Sequence, residues 1–309
     1  MHLSQLIRFA IISLALCLIP LGAAADEGGD RPLIPEFFEG SRAAGAGHAH
    51  SAITSGVDNI YQNPAGTARA PMYVLDGNFT HTPAGLIMGA GILDSMLNPQ
   101  LAVGVSYNYF SGTGDHEHLS GHDARAAVGI PVVPEQVSIG AGVRLLRITD
   151  TTIDDSLEDV DDQYLISGLT FDAGVNIRAS DLLHLGLVGR NLIDHCADDG
   201  RCTGATPTRI SAGIGAGDET MFLLSAEGTA DLTSGDEPLF EYAFGAEYLA
   251  DQSIPLRIGY ERRNYLDRHL ITAGLGWRSE EFGIDAAYRH DLNDSANLGY
   301  VTVGFSAYF

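Results

Sequence analysis

The last strand of this chain carries two different surfaces on one ribbon. Residues 297–309 are NLGYVTVGFSAYF; Gly299, Val301, Val303, Phe305, Ala307 and Phe309 fall on one face, and Tyr300, Thr302, Gly304, Ser306 and Tyr308 on the other. Successive side chains of a strand point to opposite sides. One face is apolar and the other is small or hydroxylated, as expected of a wall between lipid and a wetted lumen. The alternative is a half-buried strand of a soluble periplasmic β-sandwich.

The same alternation recurs upstream. Leu101, Val103, Val105, Tyr107 and Tyr109 alternate with Ala102, Gly104, Ser106 and Asn108; Phe240, Tyr242, Phe244, Ala246 and Tyr248 alternate with Glu241, Ala243, Gly245 and Glu247; Ile271, Ala273, Leu275 and Trp277 alternate with Thr272, Gly274, Gly276 and Arg278. Charges lie on the Gly/Ser/Thr face, which is what a lipid-facing wall requires, since Arg at mid-membrane costs about 2–4 kcal/mol. The pattern predicts strands at 70–81, 84–94, 100–111, 122–132, 136–149, 163–178, 182–192, 207–216, 220–231, 239–250, 254–263, 268–278, 281–291 and 298–309. About fourteen strands, an even number with lengths near a tilted span, predict an all-β, antiparallel, up-and-down transmembrane barrel.

The links support this. With the amino-terminal segment inside, the periplasmic turns near 95–99, 133–135, 179–181, 217–219, 251–253 and 279–280 are short, and the outer loops 112–121, 150–162 and 193–206 are longer. The link at 82–83 breaks the pattern and requires either a tight hairpin or a shifted boundary. Seven carboxylates fall in Asp150–Asp162, an outer loop. Tyr107, Tyr109, Phe240, Tyr242 and Tyr288 sort toward the outer edge, and Tyr248, Trp277, Phe282 and Phe309 toward the inner, as two interfacial girdles.

At the other end Arg8, an apolar run Phe9–Leu21 and Gly22-Ala23-Ala24-Ala25 form a signal peptide, with cleavage expected after Ala25. The run is shorter than the roughly 20 residues of a spanning helix. Domains are therefore expected at 1–25 (signal), 26–69 (extension and hatch-like segment) and 70–309 (barrel). The formal charge of −23, with all 17 basic residues Arg, excludes nucleic acid as a partner. Cys196 and Cys202 flank a turn-like stretch, and in an exported protein they are expected to form a local disulfide.

Residues 40–69, GSRAAGAGHAHSAITSGVDNIYQNPAGTAR, lack strand periodicity. Arg42, Ala43, Gly45, Gly47, Asp58 and Asn63-Pro64-Ala65-Gly66, followed by LGLVGRNL at 185–192, TPTRISAGIGA at 206–216, FGAEY at 244–248 and PLRIGY at 255–260, resemble the PorV/PorQ-like and FadL-like outer-membrane proteins. Ala46 stands where that pattern often has Met, and the short chain places it nearer the PorV/PorQ branch. The resemblance implies a fourteen-stranded barrel with an amino-terminal luminal hatch, in which Asn63, Pro64, Ala65 and Gly66 shape a turn inside the pore. It implies passive passage or holding of a hydrophobic molecule (FadL-like) or, alternatively, service to a type IX-like secretion and surface-attachment system with secreted cargo (PorV-like). A strand ending on Phe309 resembles the closing strand of bacterial outer-membrane barrels, where the terminal Phe is part of the signal read by the barrel assembly machinery. The expected location is the outer membrane, with its lipid as partner.

Glu227, Glu241, Glu247, Arg257, Glu261, Asp285 and Arg289 occupy inner-face positions on neighbouring strands, and Glu247 and Arg257 sit symmetrically about the 251–253 turn. They are expected to form a luminal ion-pair network, with cross-strand pairing of Glu247 and Arg257. A substrate path along these charges is the alternative. Asp115-His116-Glu117-His118, with His122 and Asp123, offers a weak His-x-His cation signal; a solvated loop is the expectation, with no metal and no cofactor. His184 and His290 have no Ser or Asp partner at a defined spacing, and no phosphate-cradling loop follows a strand, so no enzymatic activity is expected. The small inner face suggests room for a hydrophobic ligand.

Overall fold

The computed structural model describes residues 39–151, 164–193, 206–264, 267–293 and 299–309. The expected signal peptide, most of the acidic 150–162 loop, and Cys196 and Cys202 with their expected disulfide lie outside the described residues. Fourteen antiparallel strands close into one barrel: β1 Tyr73–Thr82, β2 Gly85–Asp94, β3 Ala102–Gly112, β4 Leu119–Val133, β5 Val137–Asp150, β6 Tyr164–Ser180, β7 Leu183–Arg190, β8 Arg209–Asp218, β9 Phe222–Asp231, β10 Leu239–Ala250, β11 Ile254–Arg263, β12 Arg268–Arg278, β13 Phe282–Asp291 and β14 Tyr300–Tyr308. Each strand pairs with its sequence neighbours, and β14 returns to β1 from Val74↔Tyr308 to His81↔Val301. The Thr80 and Thr302 hydroxyls meet at 3.0 Å across this seam. Phe309 N–H donates to Tyr73 O at 3.0 Å, and the two rings meet edge to face at 5.6 Å.

The wall is inverted relative to a water-soluble protein. On β3, Val103, Val105 and Tyr107 are exposed while Ala102, Gly104, Ser106 and Asn108 are buried. Ile258, Phe305 and Leu275 are 66%, 57% and 55% exposed on the outer face, whereas Arg257, Asp123 and Asn108 are 0–2% exposed on the inner. A sandwich would bury the first group, so the closed barrel rules out the soluble β-sandwich. Among the described residues no helix is long and apolar enough to cross a membrane.

One end of the barrel carries short turns, among them 181–182, 251–253 and 279–281, and the other carries the longer links. The first link at the long-loop end is a tight hairpin at 83–84. The Thr82 hydroxyl ties to Gly85 there, and Gly85 adopts φ 155° with no room for a Cβ beside Ser111 O. Strand β4 begins at Leu119, three residues before expectation. The hairpin with β3 extends through Ser111↔Ser120, and the expected 112–121 loop shrinks to 113–118.

Candidate functional site: the filled lumen

Residues 40–69 run inside the barrel and are almost wholly buried. Short turns replace strand: a helical turn at Ser41–Gly45, a 3-10 turn at Gly56–Asp58, a helical turn at Asn59–Gln62 and a 3-10 turn at Pro64–Ala68. Asn63 starts the last of these. Its extended backbone (φ −160°) lets Oδ1 accept from Ala65 N–H at 3.1 Å, and Pro64 occupies the first position, where no N–H is needed. Asn63 Nδ2 donates to Ser51 O at 2.9 Å and to Val175 O of β6 at 3.1 Å. Ser138 of β5 donates to Ala65 O at 2.7 Å. The Asn-Pro-Ala-Gly stretch thus sits against β4, β5 and β6.

The inner-face glycines are the counterpart of this segment. A Cβ at Gly140, Gly174, Gly186, Gly259 or Gly304 would fall closer than 3.0 Å to Ala65, Asn63, Ser51, Gly47 or Ser41 respectively. The small inner face therefore does not leave the open room expected from sequence. It lets the 40–69 backbone approach the wall on opposite sides at once.

Charge then fixes the segment. Glu247 and Arg257 are register partners and bond at 2.5 Å, and Arg257 continues to Asp285 of β13 at 2.5 Å. Arg42 of the segment meets Glu247 as a fork, Nε to Oε2 and Nη2 to Oε1, both at 3.0 Å. Glu39 pairs with Arg289 of β13 and with His48, and His48 Nδ1 lies 3.5 Å from Glu261, which Arg263 also holds at 2.6 Å. Glu227 accepts from Ser51 N–H at 2.8 Å and from Arg190 at 3.1 Å. Glu241 is buried 3.9 Å from Arg209. Each inner-face charge singled out from sequence thus has a partner of opposite charge, in separate clusters: Glu227 with Arg190, Glu241 with Arg209, Glu247 and Asp285 with Arg257, Glu261 with Arg263, and Arg289 with Glu39. The partners supplied by the segment, Glu39, Arg42 and His48, were not foreseen. Their signal was a few charged groups within a Gly/Ala stretch that has no water-facing side.

The opposite sector, β1–β6, contains an apolar cluster among buried polar side chains such as Thr80, Asn108 and Asn176. Val74 and Leu93 near the short-turn end, Val57, Ile60 and Tyr61 of the segment, and Ile87, Phe110, Ile148 and Ile166 near the long-loop end form one buried cluster. Charged groups lie beside it: Asp123, held by Arg125 at 2.8 Å and Arg144 at 2.7 Å, and the inner-face carboxylates Asp76 and Asp172. Strand alternation separates Asp123 from His122, which faces outward against Tyr107. A cation site combining His116, His118, His122 and Asp123 is therefore not assembled. His184 is buried at the short-turn end, and His290 lies at the long-loop end on the outer face, so they share no site.

Cavities remain beside the segment. One of about 330 Å³ opens between the segment and β1, β2, β13 and β14; Asp58, Asp76, Arg42, Arg278, Met72 and Tyr308 help to line it. Another of about 110 Å³ lies toward the long-loop end, among Arg125, Arg144, Arg190, Glu241 and Glu261. Tyr61 is common to both linings. Its hydroxyl accepts from Asn108 at 3.1 Å, and the Arg125 guanidinium stacks 5.0 Å above its ring. In the larger cavity burial, reinforced by the carboxylates of Asp76 and Glu39, pushes the Asp58 carboxyl up to about 7.

Solved structures share this architecture. A Pseudomonas aeruginosa FadL homologue aligns over 88% of this chain and 98% of its own, with TM-score 0.59 and 14% identity. The Pseudomonas putida toluene transporter TodX aligns over 87% and 96%, at 0.59 and 12%. The Ralstonia pickettii toluene transporter TbuX aligns over 88% and 97%, at 0.55 and 12%. At these identities the likeness is one of fold: a FadL-like closed barrel. No protein-family model and no curated protein matches the sequence.

Proposed function

We propose that this chain is a passive channel of a bacterial outer membrane, carrying small molecules with an apolar body, and that the 40–69 segment holds it shut in the present conformation. The observation that carries this reading is the position of Tyr61, the one side chain shared by the linings of the two cavities. Moving one aromatic ring would join chambers that lie toward opposite ends of the barrel. The buried apolar cluster that includes this ring supports an apolar passenger. The resemblance in fold to toluene transporters agrees with this class of passenger. The exposed hydrocarbon of the outer wall agrees with a bilayer setting, and nothing in the reading calls for catalysis.

Uptake of toluene or a fatty acid into proteoliposomes tests it. The Tyr61→Ala variant is expected to raise the uptake rate above wild type, and removal of residues 40–69 to raise it further. If neither variant exceeds empty liposomes, the channel reading fails. Co-purification of a stoichiometric secreted protein from native membranes would instead support the PorV-like secretion role.

A further inference from the structure

One cation in the lumen is left without a counter-ion. Arg278, the last residue of β12, makes no side-chain hydrogen bond or ion pair among the described residues. Its Nε is enclosed, and its two Nη groups are left to the cavity of about 330 Å³ that it helps to line. Arg42, Arg257 and Arg289, by contrast, each hold a carboxylate. The Tyr308 hydroxyl lines the same cavity and also has no partner among the described residues. A Cβ at Gly283, the register partner of Arg278, would lie 3.3 Å from that hydroxyl, so the phenol rests over bare backbone beside Arg278.

Carboxyls stand on another part of the lining. One register row runs Arg278–Gly283–Ser306–Asp76 from β12 to β1, which sets Asp76 three strand spacings, about 14 Å of wall, from Arg278. Asp76 accepts from Val57 N–H at 3.3 Å, so Asp58, the next residue of the segment, lies beside it. Asp58 itself accepts from Gly40 N–H. Neither carboxyl pairs with Arg278 among the described residues. Of the other charged groups on the lining, Arg42 is held by Glu247, Asp285 by Arg257, and Glu280 stands on an exposed turn. Val57, Tyr61, Met72 and Val74 make the rest of the lining partly apolar. An apolar cavity of about 150 Å³ takes up benzene, so a ring bearing a dipolar head fits the larger space here. A cationic pole and a carboxyl pole held apart beside hydrocarbon suit a ligand that carries both charges and an apolar side chain.

We propose that this cavity binds a free α-amino acid with an apolar side chain, its carboxylate on Arg278 and Tyr308 and its ammonium on Asp58. The inference adds a charged head to the passenger proposed above; it rests on that reading for the ligand's route, not for its binding. Isothermal titration calorimetry of the full chain in detergent tests it, with phenylalanine, N-acetylphenylalanine and phenethylamine as probes. Phenylalanine is expected to bind about tenfold or more tightly than N-acetylphenylalanine, which lacks the ammonium, and than phenethylamine, which lacks the carboxylate. Arg278→Gln should weaken phenylalanine about tenfold or more and leave phenethylamine unchanged. Asp58→Asn should weaken phenylalanine to a similar degree and leave N-acetylphenylalanine unchanged. Heat-modifiable gel migration confirms that each variant still forms a barrel. Equal binding of phenylalanine and N-acetylphenylalanine by wild type reduces the site to an anion hole and overturns the proposal even if a variant fails to fold. So does the absence of phenylalanine binding, or wild-type affinity in either folded variant. Toluene uptake without phenylalanine binding overturns this proposal and leaves the channel standing. Phenylalanine binding without uptake of either solute keeps the site and removes the channel.

Discussion

On the β1–β6 side the luminal segment puts Val57, Ile60 and Tyr61 into an apolar cluster and otherwise makes mostly uncharged hydrogen bonds, whereas along β9–β13 it meets paired charges. There Glu39, Arg42 and His48 reach Arg289, Glu247 and Glu261. Apolar contact is non-directional and grows with area. Forked ion pairs impose geometry, and in low dielectric they are expensive to break once formed. The charged side therefore sets where the segment sits, and the apolar side is where it can slip or part. A gate needs both properties, one edge that holds register and one that yields.

The largest expected effect lies on the charged side. Arg257→Ala removes the Asp285 carboxylate's ion pair, leaves Glu247 with Arg42 alone and should cost about 3–5 kcal/mol, measured from the urea midpoint of the folded barrel. On the apolar side Phe110→Ala should cost about 3 kcal/mol, and it should also speed hydrocarbon uptake by loosening the cluster. If Arg257→Ala speeds uptake and Phe110→Ala does not, the assignment of anchor and yielding edge is reversed. Asn63→Ala removes the cap of the Pro64–Ala68 turn and two further hydrogen bonds; about 1–2 kcal/mol is expected, seen as earlier proteolysis of the segment before the barrel itself unfolds.

A different kind of effect is a pH slope. Burial raises the Asp58 carboxyl from the 3.8 of a free aspartate to about 7 in the folded protein. The folded state therefore holds this proton where the unfolded chain has lost it. Its contribution is fully favourable below about 4 and is lost as pH rises toward 7, after which the slope is flat. Asp58→Asn should remove this decline; an identical stability–pH profile in wild type and variant would show that Asp58 does not titrate in this window.

The wall was legible in the sequence because lipid and lumen impose a strict period of two. β10, β11 and β12 occupy the residues expected, and the Glu247–Arg257 pairing followed from symmetry about one turn. The interior was far less legible. Residues 40–69 obey no period, since their surroundings are wall on every side, so nothing in their spacing shows which strand each side chain meets. Arg42–Glu247 is separated by 205 positions, and no local rule reaches that far. The stretch around the His-x-His signal, expected to be a solvated loop, shows the opposite case. Neighbours in sequence, His122 and Asp123, become residents of opposite faces once β4 extends to Leu119. The glycines signalled closeness without naming what came close.

Those glycines bear on calibre. Gly140, Gly174, Gly186 and Gly259 present hydrogen atoms, not side chains, to the lumen. With its occupant withdrawn, this cylinder would have a bore wider than its strand count suggests. Evolution or an engineer could turn a tight conduit into a generous one by shortening the amino-terminal segment, without altering a single wall residue.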